Sequence, residues 1–309
     1  MRVLLLPFMM VVLSGCPSSG GDASGNGALE AQGPPFSADA ALAHIRTQVG
    51  FGPRVAGTPG HAQQLQWMID YLRERADTVE LQPFTHTHSV SNQQLAMTNV
   101  IARFNPQATE RVLLLTHWDT RPTADYDADE QARTQPVPGA NDGGSGTAVL
   151  LEIANILKTH KPGIGVDLLF VDGEDYGPDE PDMYLGAKYF AANAGSYRPL
   201  YAVLIDMIAD QTPRYGIEDT SQRMAPEVVQ RVWGLAEDLG YGQYFPRTNV
   251  GAIGDDHVPL NQAGIRTANI IDCCDPPWHT LDDNLENVSP VGLGIVGTVL
   301  VELIFREGQ

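Results

Sequence analysis

The chain has 309 residues, and 43% of them are hydrophobic, which is enough to bury a sizeable core in one large domain or two small ones. Its 19 Lys and Arg residues against 38 Asp and Glu residues give a formal net charge of −19. This balance excludes the basic surface that nucleic-acid-binding proteins need, so we expect no nucleic-acid partner. An acidic surface instead favours cationic groups, such as the amine of a peptide.

The N-terminal segment, MRVLLLPFMMVVLSGC, places Arg2 before an apolar run over residues 3–13. The run is too short for a transmembrane helix, which needs roughly 20 apolar residues, and it fits the hydrophobic part of a secretory signal. The motif LSGC resembles a bacterial lipobox; the alternative is an ordinary cleaved signal with an unrelated Cys. We predict a lipoprotein signal peptide over residues 1–15 and lipidation at Cys16. The protein would then lie in the bacterial cell envelope, anchored to a membrane by its lipid.

The next segment, residues 16–36, is rich in Gly and Ser and predicts a flexible tether that holds a domain clear of the membrane. Beyond it no linker or internal repeat interrupts the sequence, so residues 37–309 are predicted to form one catalytic domain. This domain contains Cys273 and Cys274 as its only cysteines. Adjacent cysteines bridge each other only with strain, so we interpret them as two small, partly buried residues rather than metal ligands.

Helical and strand patterns alternate through this domain. Apolar residues at helical spacing predict helices, and short, almost continuously apolar runs predict strands that are covered on both faces. In chain order the sequence predicts helices at 37–49 and 59–76, strands at 98–104 and 111–117, a helix at 145–159, a strand at 166–174, a helix at 183–193, a strand at 201–208, and helices at 225–239 and 290–306. This order predicts a single α/β domain with a mixed, mostly parallel central sheet flanked by helices on both faces.

An acidic segment at 121–138, RPTADYDADEQARTQPVP, breaks the alternation directly after a predicted strand. Most segments of this composition are solvated loops. A loop at the carboxyl end of a strand can also form the rim of a site. The sequence alone leaves both interpretations open.

Polar side chains follow the predicted strands, at places where a core would not hold them. Ligand sites in open α/β sheets lie beyond the carboxyl ends of the strands, so these side chains are expected to converge. Three groups of these residues lie at the ends of predicted strands. One further residue lies in the Gly-rich turn GANDGGSG before a helix, and another lies in the late segment PPWHT. The residues are His117 and Asp119; Asp172, Glu174 and Asp175; Asp206; Asp142; and His279.

Several carboxylates in one cleft stay ionised only beside a cation, and two imidazoles with carboxylates are typical zinc ligands. Each motif alone has an ordinary alternative: Asp142 could cap a helix, and Glu174-Asp175 could be a solvated turn. Their joint order favours a metal site. Because Glu174 and Asp175 are neighbours in a turn, their side chains diverge, and one can bind the metal while the other moves protons.

The ordered motifs HWD, GANDGGSG, DGED, LID and WHT resemble the zinc-dependent M28 aminopeptidase superfamily over residues 40–305. Within it, the stretches DGEDYG with MYLGAKYFA, GDDHVPL and PPWHTLDDNLENV are similar to zinc glutaminyl cyclases. This resemblance implies an enzyme that converts the N-terminal Gln of peptides or proteins to pyroglutamate and releases ammonia. It also implies one zinc ion.

The resemblance carries roles onto matching positions. Asp142, Asp175 and His279 would hold the zinc ion, and Glu174 would be the general acid and base. Asp206 and Asp255 would support Glu174 through hydrogen bonds, Trp278 would line the substrate pocket, and the residues after His279 would orient it or its loop. Two departures stand out. Animal cyclases have Glu where this chain has Asp175. Their second pocket Trp has no clear counterpart here, although Tyr176 and Tyr184 are near, and Tyr176 is the candidate.

Two other functions remain open. The five residues His117, Asp142, Asp175, Asp206 and His279 also make the ligand set of a two-zinc aminopeptidase, in which His117 and Asp206 serve the second ion. Asp142 would then bridge the ions, and Glu174 would activate the hydroxide between them. A metal-free binding module is the third possibility, and the complete ligand set beside Glu174 argues against it.

Overall fold

The computed structural model describes residues 29–274 and 277–307, so the predicted signal peptide, Cys16 and most of the predicted tether lie outside the described residues. Its strands are β1 Thr78–Thr87, β2 Gln94–Phe104, β3 Arg111–His117, β4 Gly165–Val171, β5 Ala202–Asp206 and β6 Thr267–Ile271. They form one sheet in the order β1-β2-β4-β3-β5-β6. The pairings of β1 with β2 and of β2 with β4 are antiparallel, and the other three are parallel.

Helices cover both faces of this sheet. They are α1 Ala38–Gly50, α2 Pro59–Arg73, α3 Gly144–Thr159, α4 Leu185–Asn193, α5 Asp219–Met224, α6 Pro226–Asp238, α7 His257–Gln262 and α8 Pro290–Arg306. One core joins the sheet to α1, α2, α3, α6 and α8, and a second core joins it to α4 and α7. Leu114 belongs to the first core and its neighbours Leu113 and Leu115 to the second, as alternation along a strand requires. Among the described helices none is both long and apolar enough to span a membrane.

Several helix starts are specified by the local sequence. The side chains of Ser37, Thr58 and Ser289 accept backbone N–H groups at the starts of α1, α2 and α8. Proline follows at the first helical position of α2 and α8, where its missing N–H costs nothing and its fixed φ suits a helix. These caps explain why the predicted starts of these helices lie within a residue of the observed ones.

The predicted fold class is confirmed, and the differences lie at particular elements. The sequence analysis did not predict β1, whose side chains alternate between exposed and half-buried and which includes Pro83, as an edge strand allows. It also did not predict β6, α5 or α7, each of which is only five or six residues long. The predicted strand at 166–174 ends at Val171, because Gly173 turns the chain with a φ of +73°.

The parallel strands β4, β3, β5 and β6 lie side by side, so their carboxyl ends meet along one edge of the sheet. Val171, His117, Asp206 and Ile271 are the last residues of these strands. The loops that follow these strands therefore begin side by side at this edge. This edge positions the candidate site.

Candidate active site

His117, the last residue of β3, lies at the centre of the first group of polar side chains. Its Nε2 is 3.0 Å from Asp142 Oδ1 and 3.0 Å from Asp206 Oδ1. Its Nδ1 is 3.4 Å from Asp119 Oδ1. The imidazole is fully buried, and although burial acts to lower its pKa, the surrounding carboxylates raise the pKa of His117 well above its ordinary value.

A second group shares Asp142 with the first. His279 Nε2 is 3.2 Å from Asp175 Oδ1 and 3.7 Å from Asp142 Oδ2, and all three side chains are buried. The structure therefore brings together Asp142, Asp175 and His279, which lie far apart in the sequence. It places His117 and Asp206 directly beside them.

The donor set fits a zinc ion. In each group, one imidazole and two carboxylates offer ligand atoms that lie within 4.8 Å of one another. A tetrahedral zinc site with bonds of about 2.1 Å has donor atoms about 3.4 Å apart. The 3.2 and 3.7 Å separations around His279 bracket that value. Buried carboxylates at this density also need a cation to remain ionised together.

Glu174 lies beside the donors without belonging to either group. It follows β4, is buried, and lines the same cavity as Asp142, Asp175 and His279. Asp119 accepts the backbone N–H groups of both Glu174 and Asp175, at 3.1 and 3.2 Å, which fixes the turn that carries both side chains. Burial raises the pKa of Glu174 well above its ordinary value; His117 opposes this effect, and the charge of Asp175 adds to it.

Asp255 lies in the loop that precedes α7 and lines the same cavity as Glu174. Its Oδ2 accepts a hydrogen bond from Asn269 Nδ2 at 2.7 Å, and its Oδ1 accepts the backbone N–H of Asp256 at 2.6 Å. Burial and the charge of Asp206 raise the pKa of Asp255 to about 7. The carboxyl group is therefore held in place and titrates near neutrality.

The segment after His279 supports the first ligand loop rather than the imidazole. Asp283 accepts the backbone N–H groups of Asn141 and Asp142, at 2.7 and 3.1 Å. Burial and the charge of Asp142 raise the pKa of Asp283 to about 7. The sequence analysis expected this segment to orient His279 or its loop. Asn284 Nδ2 does donate to the carbonyl oxygen of Leu281 in that loop, at 3.3 Å, whereas Asp283 holds the turn that presents Asp142.

The donors open into a cavity of about 330 Å³. The indole of Trp278 lies over the imidazole of His279 with ring centroids 3.9 Å apart, and the ring of Tyr126 packs edge-on against Trp278 at 4.8 Å. Cys273 and Cys274 also line the cavity. The two cysteines are joined to each other by a disulfide, and neither belongs to the two groups of metal donors among the described residues.

Tyr176 does not line this cavity, which corrects its prediction as a pocket residue. Its side chain packs against a small core of Leu95, Met97 and Leu185, and its ring lies 5.6 Å from that of His88. Tyr126, Met183 and Tyr184 line the cavity instead. No spacing in the sequence distinguishes Tyr126 from other residues of the acidic segment, because its place depends on how that loop folds back over His279.

Backbone conformation sets this edge apart from the rest of the described chain. Five non-glycine residues of the described chain have positive φ, and three of them, Tyr184, Met207 and His279, line the cavity. Such conformations cost of order 1–3 kcal/mol each and persist where the surroundings enforce them, often at functional sites. The positive φ of 55° at His279 turns its side chain toward Asp175.

The mixed sheet, the His and Asp donors at its edge and the buried glutamate beside them define a zinc-dependent enzyme with an exopeptidase-like fold. Residues 99–304 match the model of peptidase family M28, and the chain belongs to this family. The M28 membership predicted from the sequence is thereby confirmed.

Three similar proteins illustrate where the chain lies within this family. A solved structure of a Bacteroides thetaiotaomicron glutaminyl cyclase bound to N-acetylhistamine is 34% identical, with a TM-score of 0.86 over 89% of this chain and 99% of that one. A Zn-dependent exopeptidase from Parabacteroides distasonis is 37% identical, with a TM-score of 0.84 over 89% and 99%. A Drosophila melanogaster glutaminyl-peptide cyclotransferase is 27% identical over 265 residues, which are 75% of this chain and 71% of that protein. The predicted resemblance to glutaminyl cyclases is confirmed, and zinc is the metal that the family indicates.

Proposed function

We propose that the chain is a glutaminyl-peptide cyclotransferase, which converts the N-terminal Gln of a peptide or protein to pyroglutamate. The observation that carries this proposal is the pocket in which Trp278 lies over His279 and which Glu174 also lines. A pocket of this size and aromatic lining suits one folded side chain better than an extended peptide. The cyclase relatives support the same activity, because their similarity extends over most of the chain.

In this proposal Asp142, Asp175 and His279 hold one zinc ion. When bound, the ion supplies a Lewis acid that polarises the side-chain amide of the substrate and stabilises negative charge on its oxygen. Asp283 fixes the turn of Asp142, and Asp119 fixes the turn of Asp175, through the backbone hydrogen bonds described above. These outer contacts set the direction from which the ligands approach.

Glu174 moves the proton in the proposed reaction. The α-amine of the substrate forms a bond to its own side-chain amide carbon, and the bond from that carbon to the amide nitrogen breaks. Glu174 accepts one proton from the attacking amine and delivers it to the departing nitrogen, which leaves as ammonia. Burial and the charges of Asp175 and Asp255 raise the pKa of Glu174, which keeps its proton affinity high enough for both transfers.

The aromatic wall contributes by holding the substrate in a folded conformation. Trp278 and Tyr126 form one side of the pocket, and Met183 and Tyr184 form part of the rest. Holding the amine next to the amide carbon lowers the entropic cost of bringing the two reacting groups together.

A two-zinc aminopeptidase is the second candidate. The observation that favours it is the complete second donor group of His117, Asp142 and Asp206, together with the similarity to a Zn-dependent exopeptidase. In that enzyme, Glu174 would activate a hydroxide rather than an amine. The two functions differ in their products.

A mass measurement on two peptides tests the choice. The purified protein, supplied with zinc, is incubated with one peptide that begins with Gln and with a matched peptide that begins with Leu. We expect the first to lose one molecule of ammonia and the second to remain intact. Release of free Leu from the second peptide would establish the aminopeptidase instead.

We also propose that the protein is tethered to a membrane of the bacterial cell envelope through a lipid on Cys16. The sequence motif LSGC and the Gly- and Ser-rich segment after it support this proposal. We expect the expressed full-length chain to sediment with membranes, and the Cys16→Ser variant to lose that association. Equal membrane association of both chains would contradict lipidation at Cys16.

A further inference from the structure

The acidic loop of residues 121–138 contributes Tyr126 to the pocket wall, and it also contacts the segments that carry Asp175 and His279. Arg121 opens the loop directly after β3, and its guanidinium is almost completely buried, with 4% of the side chain exposed. Its Nη1 donates a hydrogen bond to Asp175 Oδ1 at 2.7 Å. This oxygen is the same atom that lies 3.2 Å from His279 Nε2.

Two other nitrogens of the guanidinium donate hydrogen bonds within the loop. Arg121 Nε and Nη2 donate to the two carboxylate oxygens of Asp125, at 2.6 and 2.9 Å. This fork between a planar guanidinium and a carboxylate fixes both distance and orientation. Arg121 is therefore held between two carboxylates, one in its own loop and one among the proposed zinc ligands.

The loop also fixes the segment that carries the last ligand. The backbone N–H of Tyr126 donates to the carbonyl oxygen of His279 at 3.2 Å, and Asp127 Oδ2 accepts the backbone N–H of Leu281 at 3.1 Å. The far end of the loop is anchored by the buried Arg54, which donates to the carbonyl oxygens of Pro138 and Gly139. This loop therefore contacts both Asp175 and the segment of His279, whose facing Oδ1 and Nε2 atoms are 3.2 Å apart.

We propose that this loop positions the zinc ligands, and that Arg121 is the residue that fixes Asp175 for metal binding. The inference requires the zinc site of the proposed function, but it applies equally to cyclisation and to peptide hydrolysis. A carboxylate oxygen has two lone pairs, so Asp175 Oδ1 can accept Arg121 with one and face the ion with the other. Asp125 orients Arg121 and offsets its charge beside the cation.

Arg121 has two opposite effects on zinc affinity, one through its charge and one through its positioning of Asp175. The positive charge repels the ion, so charge alone predicts that removal of Arg121 would tighten zinc binding. Positioning predicts the reverse, because the loss of an outer hydrogen bond to a metal ligand typically weakens metal affinity about 10–100-fold. We infer that positioning dominates, since Asp125 already neutralises most of the charge.

The test measures the zinc dissociation constant by chelator competition for Arg121→Met, Arg121→Lys, Asp125→Asn and the double variant Arg121→Met/Asp125→Asn. Arg121→Met should bind zinc about 10–100-fold more weakly. Arg121→Lys keeps the charge but lacks the fork, so it should also bind more weakly. Asp125→Asn should weaken binding by a smaller factor, and the double variant should be no weaker than Arg121→Met, because Asp125 acts only through Arg121.

Glu130→Gln is the matched control, because it lies exposed in the same loop and changes the charge by the same amount as Asp125→Asn. It should leave zinc affinity unchanged. Thermal unfolding of each metal-free variant shows whether it is folded, so that weaker zinc binding is not confused with loss of the fold. If Arg121→Met does not fold, the zinc affinity of Asp125→Asn tests the proposal. Unchanged or tighter zinc binding in folded Arg121→Met, or additive effects in the double variant, would overturn the proposal. Turnover of the Gln peptide, measured separately, keeps this result distinct from the choice between cyclase and aminopeptidase.

Discussion

Glu174→Gln is expected to lower turnover of a Gln peptide by about 10²–10⁴-fold, the range that a positioned general acid and base contributes. The substitution keeps the size and shape of the side chain and removes its ability to accept a proton. Because Asp142, Asp175 and His279 remain, zinc content should stay close to that of the unmodified protein. The measurement combines ammonia release at saturating peptide with the metal content of the same sample.

Glu180→Gln is a suitable control for this experiment. Glu180 follows six residues later, and 80% of its side chain is exposed, so the same chemical change is made outside the cavity. Its turnover should equal that of the unmodified protein. Turnover retained in Glu174→Gln would remove the acid and base role from this residue, even if the metal site proved correct.

His279→Ala is expected to weaken zinc binding by more than the roughly 10–100-fold that follows loss of an outer partner, because a direct ligand is removed. Turnover should fall with it and return only in part at high zinc concentration. Zinc affinity by chelator competition is the measurement, with the exposed His160→Ala as the matched control.

The backbone at residue 279 complicates that variant and suggests a second one. His279 has a φ of 55°, where alanine is disfavoured and asparagine is tolerated. His279→Asn therefore removes the imidazole with less strain in the loop. If both variants kept the zinc affinity of the unmodified protein, His279 would not be a ligand.

The sequence predicted the central strands and the positions of the donors for one physical reason. Strands β3, β4 and β5 are buried on both faces, so they appear as continuous apolar runs, and the first polar residues after them mark their carboxyl ends. Parallel strands share that edge, so side chains distant in the sequence could be expected to meet there. The long amphipathic helices were predictable from their spacing and their caps.

The remaining features depend on contacts that no local pattern encodes. Arg121 could be placed on a loop after β3, but its hydrogen bond to Asp175 depends on the loop after the neighbouring strand β4. The sequence analysis named Tyr176 as a pocket candidate and contained no signal for Tyr126. Only the path of the acidic loop, which returns over His279, brings Tyr126 to the wall and leaves Tyr176 in a separate core.

The proposed zinc ligands come from the start of α3, the end of β4 and a loop before α8, so no local part of the chain contains them all. Unfolding scatters these donors, and a bound ion consequently stabilises the native domain by thermodynamic linkage, by about 1.4 kcal/mol for each tenfold excess of free zinc over the dissociation constant. Resistance of the protein to heat and proteolysis is therefore coupled to the supply of zinc around it. A shortage of the ion would shorten the lifetime of the folded enzyme as well as stop its reaction.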